Sequence, residues 1–439
     1  MSAIQMSVAA FGVLMLLLAI RVPIAVAMLL VGMGGLTFTA GSHAMLAKLN
    51  TQMFYQFLTY DLSVIPMFML MGAFVMRAGF SRSLFRCATA FLGHYRGGTA
   101  MATIGACAGF GAVCGSSLAT AATMARVTLP ELRAQGYSNQ LSTGTLAAGG
   151  SLGILIPPSL VLVVCALLLE TSIEALFQAA MLPGLLAAFG YVVAIACYVR
   201  FVPGAGPSQP RVPWMHRLQA LREIWPVVVI FVAVIGGIYF GWFTPTQAAA
   251  VGAVLAYLFA VVAGMRWRGL VQSLLETASA TAMMYMILFG ASVMISFLGF
   301  TRLPAQLAEM ISALSPSPLG VLLIMLGIFL VLGCIMESMS MIILLVPIFW
   351  PILQVLDFGM PPDDLKIWFA VLALMVVEIG LITPPMGLNV FVIAGLARDI
   401  PMAHVFRGIV PFLISDVMRI VLLVAFPVMA LALPHVLQR

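Results

Sequence analysis

Two strings in this sequence carry the same helix breaker in matching surroundings. Gly153-Ile154-Leu155-Ile156-Pro157-Pro158 and Gly380-Leu381-Ile382-Thr383-Pro384-Pro385 align without a gap. The alignment pairs Gly153 with Gly380, Ile156 with Thr383 and Pro158 with Pro385. Each string lies inside an apolar run. A double proline removes two backbone donors and ends a helix there. The freed carbonyls need partners, because lipid offers none. Upstream of each string sits a small polar patch. Before the first it is Gly115-Ser116-Ser117-Leu118-Ala119-Thr120; before the second it is Gly333-Cys334-Ile335-Met336-Glu337-Ser338-Met339-Ser340. Unwound carbonyls with Ser, Thr and Asn oxygens suit a hard cation such as Na⁺, and the positive ends of half-helices suit a carboxylate. A single Pro-Pro step would favour a kinked helix packed through small residues. Two steps in corresponding places, each with a polar patch, favour a pair of binding sites.

Two acids stand clearly inside apolar runs, Glu337 and Glu378. Such groups are costly in a membrane and are functional hypotheses by default. Glu337 could meet substrate, cation or proton. Glu378 stands shortly before Thr383, where it bonds the broken backbone or pairs with an arginine. Asp416 and Arg419 are three apart and read as a structural ion pair on one helix face.

The elements that must position these groups follow from composition. The chain has 439 residues, 63% of them hydrophobic and only 8% charged. Soluble domains carry about a quarter charged residues, so this composition cannot cover a soluble surface. It excludes a soluble enzyme, a nucleic-acid binder and a disordered scaffold. The apolar runs are continuous rather than alternating, which argues against a β-barrel. The fold expected is an all-α polytopic membrane protein. Its six cysteines show no CxxC pair and read as reduced packing residues.

A spanning helix needs about 20 apolar residues. Runs occur at 6–20, 24–40, 62–77, 141–170 and 174–201, with a Gly/Ser-rich stretch at 99–130. The pattern returns as 224–240, 246–265, 278–300, 366–397 and 411–433, with a broken stretch at 318–356. Residues 202–221 between them hold Pro203, Pro207, Pro210 and Pro213 and read as a linker. Each half, 1–201 and 222–439, thus offers five crossings and one hairpin. Five is odd, so the second half enters the membrane the other way up, an inverted-topology repeat. Basic residues agree. With both termini periplasmic and both hairpins re-entrant, fifteen Arg face the cytoplasm and only Lys48, Arg302, Lys366 and Arg439 face outward. The first hairpin, 99–130, enters from the cytoplasm and the second, 318–356, from the periplasm. The first run lacks a basic residue before it and reads as a retained span. Met45–Leu58, Ser81–Phe91, Leu270–Glu276 and Leu303–Leu314 read as interfacial amphipathic helices.

These motifs resemble the large membrane subunit of tripartite ATP-independent periplasmic (TRAP) transporters, the DctM-type family. The resemblance covers nearly the whole chain. It rests on Ile65-Pro66-Met67-Phe68, Gly93 through Gly98, Gly115-Ser116-Ser117 with Ala119 through Thr123, and Gly144-Thr145. Gly153 through Pro158, Phe243-Thr244-Pro245-Thr246 and Gly380 through Asn389 complete it. It implies an elevator-type transporter of the bacterial inner membrane that takes up an organic acid on a sodium gradient. The implied partners are a small four-helix membrane subunit of the DctQ type, on a separate polypeptide, and a periplasmic substrate-binding protein of the DctP type. Carried over residue by residue, it implies one sodium ion at Ser116, Ser117, Gly153, Ile156 and Pro158. It implies a second at Ser338, Gly380, Thr383 and Pro385, with Thr120, Ser159, Glu337 and Asn389 on the substrate side. Ile156 and the prolines would offer only carbonyls. Two positions depart from the family pattern: Ala73 and Gln247 stand where many relatives have acids.

Other classes fit less well. An intramembrane protease needs a buried Ser–His pair, and the five histidines fall in loops or at span ends. No HExxH motif is present. A channel needs a continuous polar lining, whereas the polar residues here gather at two points. A stand-alone ion or organic-anion transporter of related hairpin fold remains the alternative, distinguished by the absence of copurifying partners.

Overall fold

The computed structural model describes residues 3–303, 306, 307, 309 and 317–437, and no strand occurs among them. Helices α1 (Ala3–Ala19), α2 (Ile24–Leu58) and α3 (Val64–Arg77) open the chain. Helix α4 (Phe80–Leu92) leads into a hairpin of α5 (Gly98–Cys114) and α6 (Ser117–Ala134). Then come α7 (Asn139–Leu155), α8 (Leu160–Leu169) and α9 (Ile173–Phe201). After the linker, α10 (Trp214–Glu223) precedes α11 (Trp225–Tyr239), α12 (Pro245–Val262) and α13 (Trp267–Phe300). A second hairpin pairs α14 (Pro318–Gly333) with α15 (Ser338–Leu353). The chain ends with α16 (Pro362–Gly380), α17 (Leu388–Leu396), α18 (Met402–Ala425) and α19 (Val428–Leu437).

Among the described residues, six helices are long and apolar enough to cross a membrane, or up to eight if each bent pair is one span. The sequence predicts ten crossings. The difference lies in short or broken elements. The run at 366–397 divides into α16 and α17 around Pro384-Pro385. The first run forms the 17-residue helix α1, shorter than the helices counted as spans; the run expected at 411–433 is counted through Met402–Ala425 and restarts at Val428 after Pro427. Helices α7 and α8 bend by 43° around Pro157-Pro158. Both Pro-Pro bonds are cis.

The expected interfacial helices are resolved differently. Ser81–Phe91 forms the separate helix α4. Met45–Leu58 instead continues α2 beyond a kink at Gly41, whose φ is 85°. Leu270–Glu276 belongs to the continuous helix α13. Leu303–Leu314 falls mostly outside the described residues.

Packing pairs corresponding helices of the two halves of the sequence. Helix α2 lies along α13, and α3 along α12. The hairpin helices α5 and α6 pack on α7, as α14 and α15 pack on α16. The halves also exchange contacts in a matched way: α15 packs on α8, and α6 on α17. Small residues permit the closest approaches, as expected where helix association lacks a hydrophobic drive. A methyl group at Gly32 would sit 2.8 Å from the Met294 backbone nitrogen, at the α2–α13 contact.

The linker is not loose at its start. Gly206 O accepts from Gly97 N at 3.0 Å, and Ala205 O accepts from Ser138 N at 3.0 Å. Gln209 N donates to Gly93 O at 2.9 Å. The Tyr137 hydroxyl donates to Pro207 O at 2.9 Å and accepts from Thr99 N. These bonds stitch residues 205–209 onto the base of the first hairpin. Helix α10, within the predicted linker, packs on α4, with the Arg217 guanidinium 5.8 Å from the Phe91 ring.

Candidate ion and substrate site

The first cradle is built where a hairpin tip meets a broken helix. Helix α5 ends at Cys114, and Gly115 turns the chain at φ 67°, a conformation open to glycine. Ser116 is extended and N-caps α6, accepting from Ala119 N at 3.4 Å. Two glycines bring the elements together. A methyl group at Gly111 would sit 2.6 Å from Gly153 Cα. One at Gly153 would sit 2.8 Å from Thr120 Oγ1 and 3.0 Å from Ser116 O. One at Gly115 would sit 3.2 Å from Pro158 O. Hydroxyl and carbonyl oxygens from both elements therefore gather around Gly153 and Gly115. Thr120 Oγ1 is buried without a hydrogen-bond partner of ordinary geometry; the Cys114 thiol is beside it. An orphaned buried hydroxyl is costly and fits a missing ligand. Ser117, Gly153, Ile156, Pro158 and Ser159 are all buried. The Ser159 hydroxyl N-caps α8, accepting from Leu162 N at 3.5 Å.

The second cradle repeats the contact. A methyl group at Gly380 would sit 2.7 Å from Gly333 Cα. Gly387 N donates to Cys334 O at 3.3 Å, tying the hairpin tip to the unwound segment. Thr383 is half-buried, and its hydroxyl donates to Ile379 O at 2.6 Å. Ser338 is buried at the start of α15. Glu337 caps that helix, accepting from Met339 N at 3.1 Å and Ser340 N at 3.3 Å. A carboxylate there also meets the positive end of the helix dipole. Its capping bonds account for much of its presence in an apolar run.

The two cradles differ in exposure. Pro157 and Pro158 are buried, whereas Pro384, Pro385, Met386 and Glu337 are exposed. Between the cradles stands Asn389, fully buried on α17. Its Nδ2 donates to Ala147 O on α7 at 3.2 Å, and its Oδ1 has no partner. The structure thus brings Ser116, Thr120, Gly153 and Pro158 together, while the Ile156 side chain packs against Gly184 on α9; in the second half the contacts run from Gly333 to Gly380 and from Cys334 to Gly387, with Asn389 bridging toward α7.

Behind the cradles lies a buried charged cluster. Arg419 Nη2 is 2.8 Å from Asp416 Oδ1 and 3.4 Å from Glu378 Oε2. Asp416 Oδ2 accepts from the Tyr191 hydroxyl at 3.0 Å, and Tyr191 Oη is 3.4 Å from Ser151 Oγ. The expected Asp416–Arg419 pair is present, and Glu378 finds the same arginine. Sequence reasoning missed Tyr191 and Ser151. The aligned strings hold the signal for Ser151, since two residues before Gly153 and Gly380 stand Ser151 and Glu378. Gln247 completes a capping box with Thr244 at the start of α12. A glutamine serves that box as well as an acid does.

Comparison with known proteins supplies the family setting. The family model described as "Tripartite ATP-independent periplasmic transporter, DctM component" matches residues 11–429. The C4-dicarboxylate TRAP transporter large permease protein DctM of Pseudomonas aeruginosa is 36% identical over 92% of this chain and 92% of its own length. The sialic acid TRAP transporter large permease protein SiaM of Vibrio cholerae is 31% identical over 86% of each. Among solved structures, the YdaH transporter of Alcanivorax borkumensis superposes with a TM-score of 0.63, covering 89% of this chain and 90% of that one, at 16% identity. That last likeness is one of fold.

Proposed function

Because the chain belongs to the DctM component family of TRAP transporters, and so is a large membrane permease rather than an enzyme, we propose that it drives sodium-coupled uptake of an organic acid. The observation that carries this reading is the paired contact of hairpin tip and broken helix, Gly111 on Gly153 and Gly333 on Gly380. At the first contact Thr120 Oγ1 and Ser116 O gather beside Gly153. One sodium ion would be held by Ser116, Ser117, Gly153, Ile156 and Pro158, and the other by Ser338, Gly380, Thr383 and Pro385. The unpartnered Thr120 Oγ1 and Asn389 Oδ1 favour polar ligands there. The relatives' names mention dicarboxylate and sialic acid, both carboxylates, so an organic acid is the substrate class proposed. Asn389 is the residue best placed to meet it, since its free oxygen lies between the cradles.

In this reading the two halves are inverted repeats, with both termini on the periplasmic side of a bacterial inner membrane. The hairpins and broken helices move as one block against α2, α3, α12 and α13. Cation binding orders the hairpin tips and completes the substrate site, which couples the gradient to transport. A DctQ-type small subunit and a DctP-type binding protein complete the transporter.

The test is uptake into proteoliposomes that hold this chain with its small subunit, supplied with ligand-loaded binding protein. Uptake should require an inward sodium gradient. Equal uptake with the gradient collapsed would remove sodium coupling. Ser117→Ala and Thr383→Ala should each raise the sodium needed for half-maximal uptake; unchanged kinetics in both would move the ion sites elsewhere.

A further inference from the structure

The cluster behind the cradles joins them. Ser151 and Glu378 are equivalent in the two aligned strings, each two residues before the glycine that its hairpin touches. They also stand side by side, the Ser151 hydroxyl against the Glu378 carboxylate, and close one ring of contacts. Ser151 Oγ lies 3.4 Å from Tyr191 Oη, Tyr191 donates to Asp416, and Arg419 holds Asp416 and Glu378. The members come from four helices: α7, α9, α18 and α16. Any displacement of Gly153 or Gly380 along its helix must pull on this chain.

The chain is also unequally closed. One nitrogen, Arg419 Nη2, serves both carboxylates, at 2.8 Å to Asp416 and 3.4 Å to Glu378. Arg419 Nε and Nη1 and Glu378 Oε1 are buried without a hydrogen bond of ordinary geometry; the Ser151 hydroxyl is beside the Glu378 carboxylate. Spare donors thus stand beside a carboxylate. A small shift of α16 toward the guanidinium would close a two-pronged contact of the kind arginine favours. That closed contact would be the second arrangement that a physical coupling element needs.

We propose that Ser151, Tyr191, Asp416, Arg419 and Glu378 are positioning residues that make sodium binding at one cradle strengthen binding at the other. The proposal rests on the two-sodium reading above. Loading the second cradle shifts Gly380 and draws Glu378 onto Arg419. Arg419 then re-aims Asp416, Tyr191 and, through Ser151, the helix carrying Gly153.

The experiment is sodium-dependent thermal stabilisation of the purified protein in lipid nanodiscs, with choline replacing sodium as control. The parent protein should show a Hill coefficient above one. Ser151→Ala keeps every charge and removes the link from the helix carrying Gly153 to both Tyr191 and Glu378. It should fold, bind sodium with a Hill coefficient near one, and require about fivefold more sodium for half-saturation, the low end of ordinary coupling strengths. Arg419→Lys keeps the charge but not the fork and should do the same. A cooperative parent with a Ser151→Ala protein of unchanged Hill coefficient and half-saturation would overturn the coupling role. A parent that binds sodium with a Hill coefficient of one would overturn it too, leaving the sodium sites standing. A parent indifferent to sodium would instead overturn the sodium reading, and the coupling with it.

Discussion

Asn389 and Ala147, 242 residues apart, are joined by a hydrogen bond of 3.2 Å from the side-chain amide to the backbone carbonyl. The bond ties the second broken helix to the first half of the first. Asn389→Ala should therefore cost about 1 kcal/mol of stability, the ordinary worth of such a bond. The larger loss should be in transport, because the free Asn389 oxygen goes with it. Uptake at limiting substrate should fall about tenfold, an effect of the size one hydrogen bond supplies. Radiolabelled uptake beside a melting curve separates the two effects; normal uptake by Asn389→Ala would remove the residue from the substrate site.

The glycine contacts make a sharper test of the paired architecture. Gly111→Ala and Gly380→Ala each place a methyl group against backbone, at 2.6 and 2.7 Å. Neither neighbour is a flexible side-chain end. Each substitution should cost about 1–3 kcal/mol by overpacking and should weaken sodium-dependent stabilisation. Gly327→Ala is the control, since nothing lies within 4 Å of its added methyl. It should melt within about 0.5 kcal/mol of the parent. Equal melting of all three would mean that the hairpins do not press on the broken helices.

Exposure differs between the cradles, and cysteine chemistry can read it. In a background lacking Cys197 and Cys334, Met386→Cys should react with a membrane-impermeant maleimide applied to both faces. Ser159→Cys, buried behind the first Pro-Pro step, should not. Equal labelling would show that the first cradle also opens in the resting protein.

One acid outside the spans gives a pH prediction. Asp399 sits in the turn between α17 and α18, where Arg133 donates to it at 2.9 Å. That hydrogen bond holds the carboxyl below the usual aspartate range. A lowered folded value contributes stability at neutral pH that is lost only as pH falls through it. Asp399→Asn should melt slightly below the parent at neutral pH, and the curves should converge in acid below the ordinary aspartate range. The pair is largely exposed, so added salt should shrink the difference as well.

Much of the site was legible because breakers write themselves into sequence. Pro157-Pro158 and Pro384-Pro385 mark the two unwound segments, and the turn at Gly115-Ser116 falls within the stretch expected to form a hairpin. Asp416 and Arg419 could be paired from helical spacing alone. The rest depends on packing that no local pattern encodes. Tyr191 looks like one more aromatic in an apolar run, and only the approach of α18 gives its hydroxyl a partner. Glu337 looks like an intramembrane acid until its cap bonds are seen. Met45–Leu58 carries an amphipathic pattern, which cannot tell a separate helix from a bent continuation at Gly41. The linker shows the same limit: its four prolines mark a stretch between the apolar runs, and nothing in them tells that its backbone bonds to the hairpin base.

That stitching changes where the molecule can bend. Residues 205–209 are fixed to the hairpin at Gly93, Gly97 and Ser138, and α10 rests on α4 beside them. The connection between the halves is therefore a short-reined harness that travels with the first hairpin. Displacement of that hairpin relative to α3 and α11 has two outlets. One is Gly79, at φ 74° with nothing within 4 Å of its missing side chain. The other is the 48° elbow between α10 and α11. In the proposed transport cycle, two arms pivoting together, α4 and α10, would set the stroke of the first hairpin, rather than the length of chain between the halves.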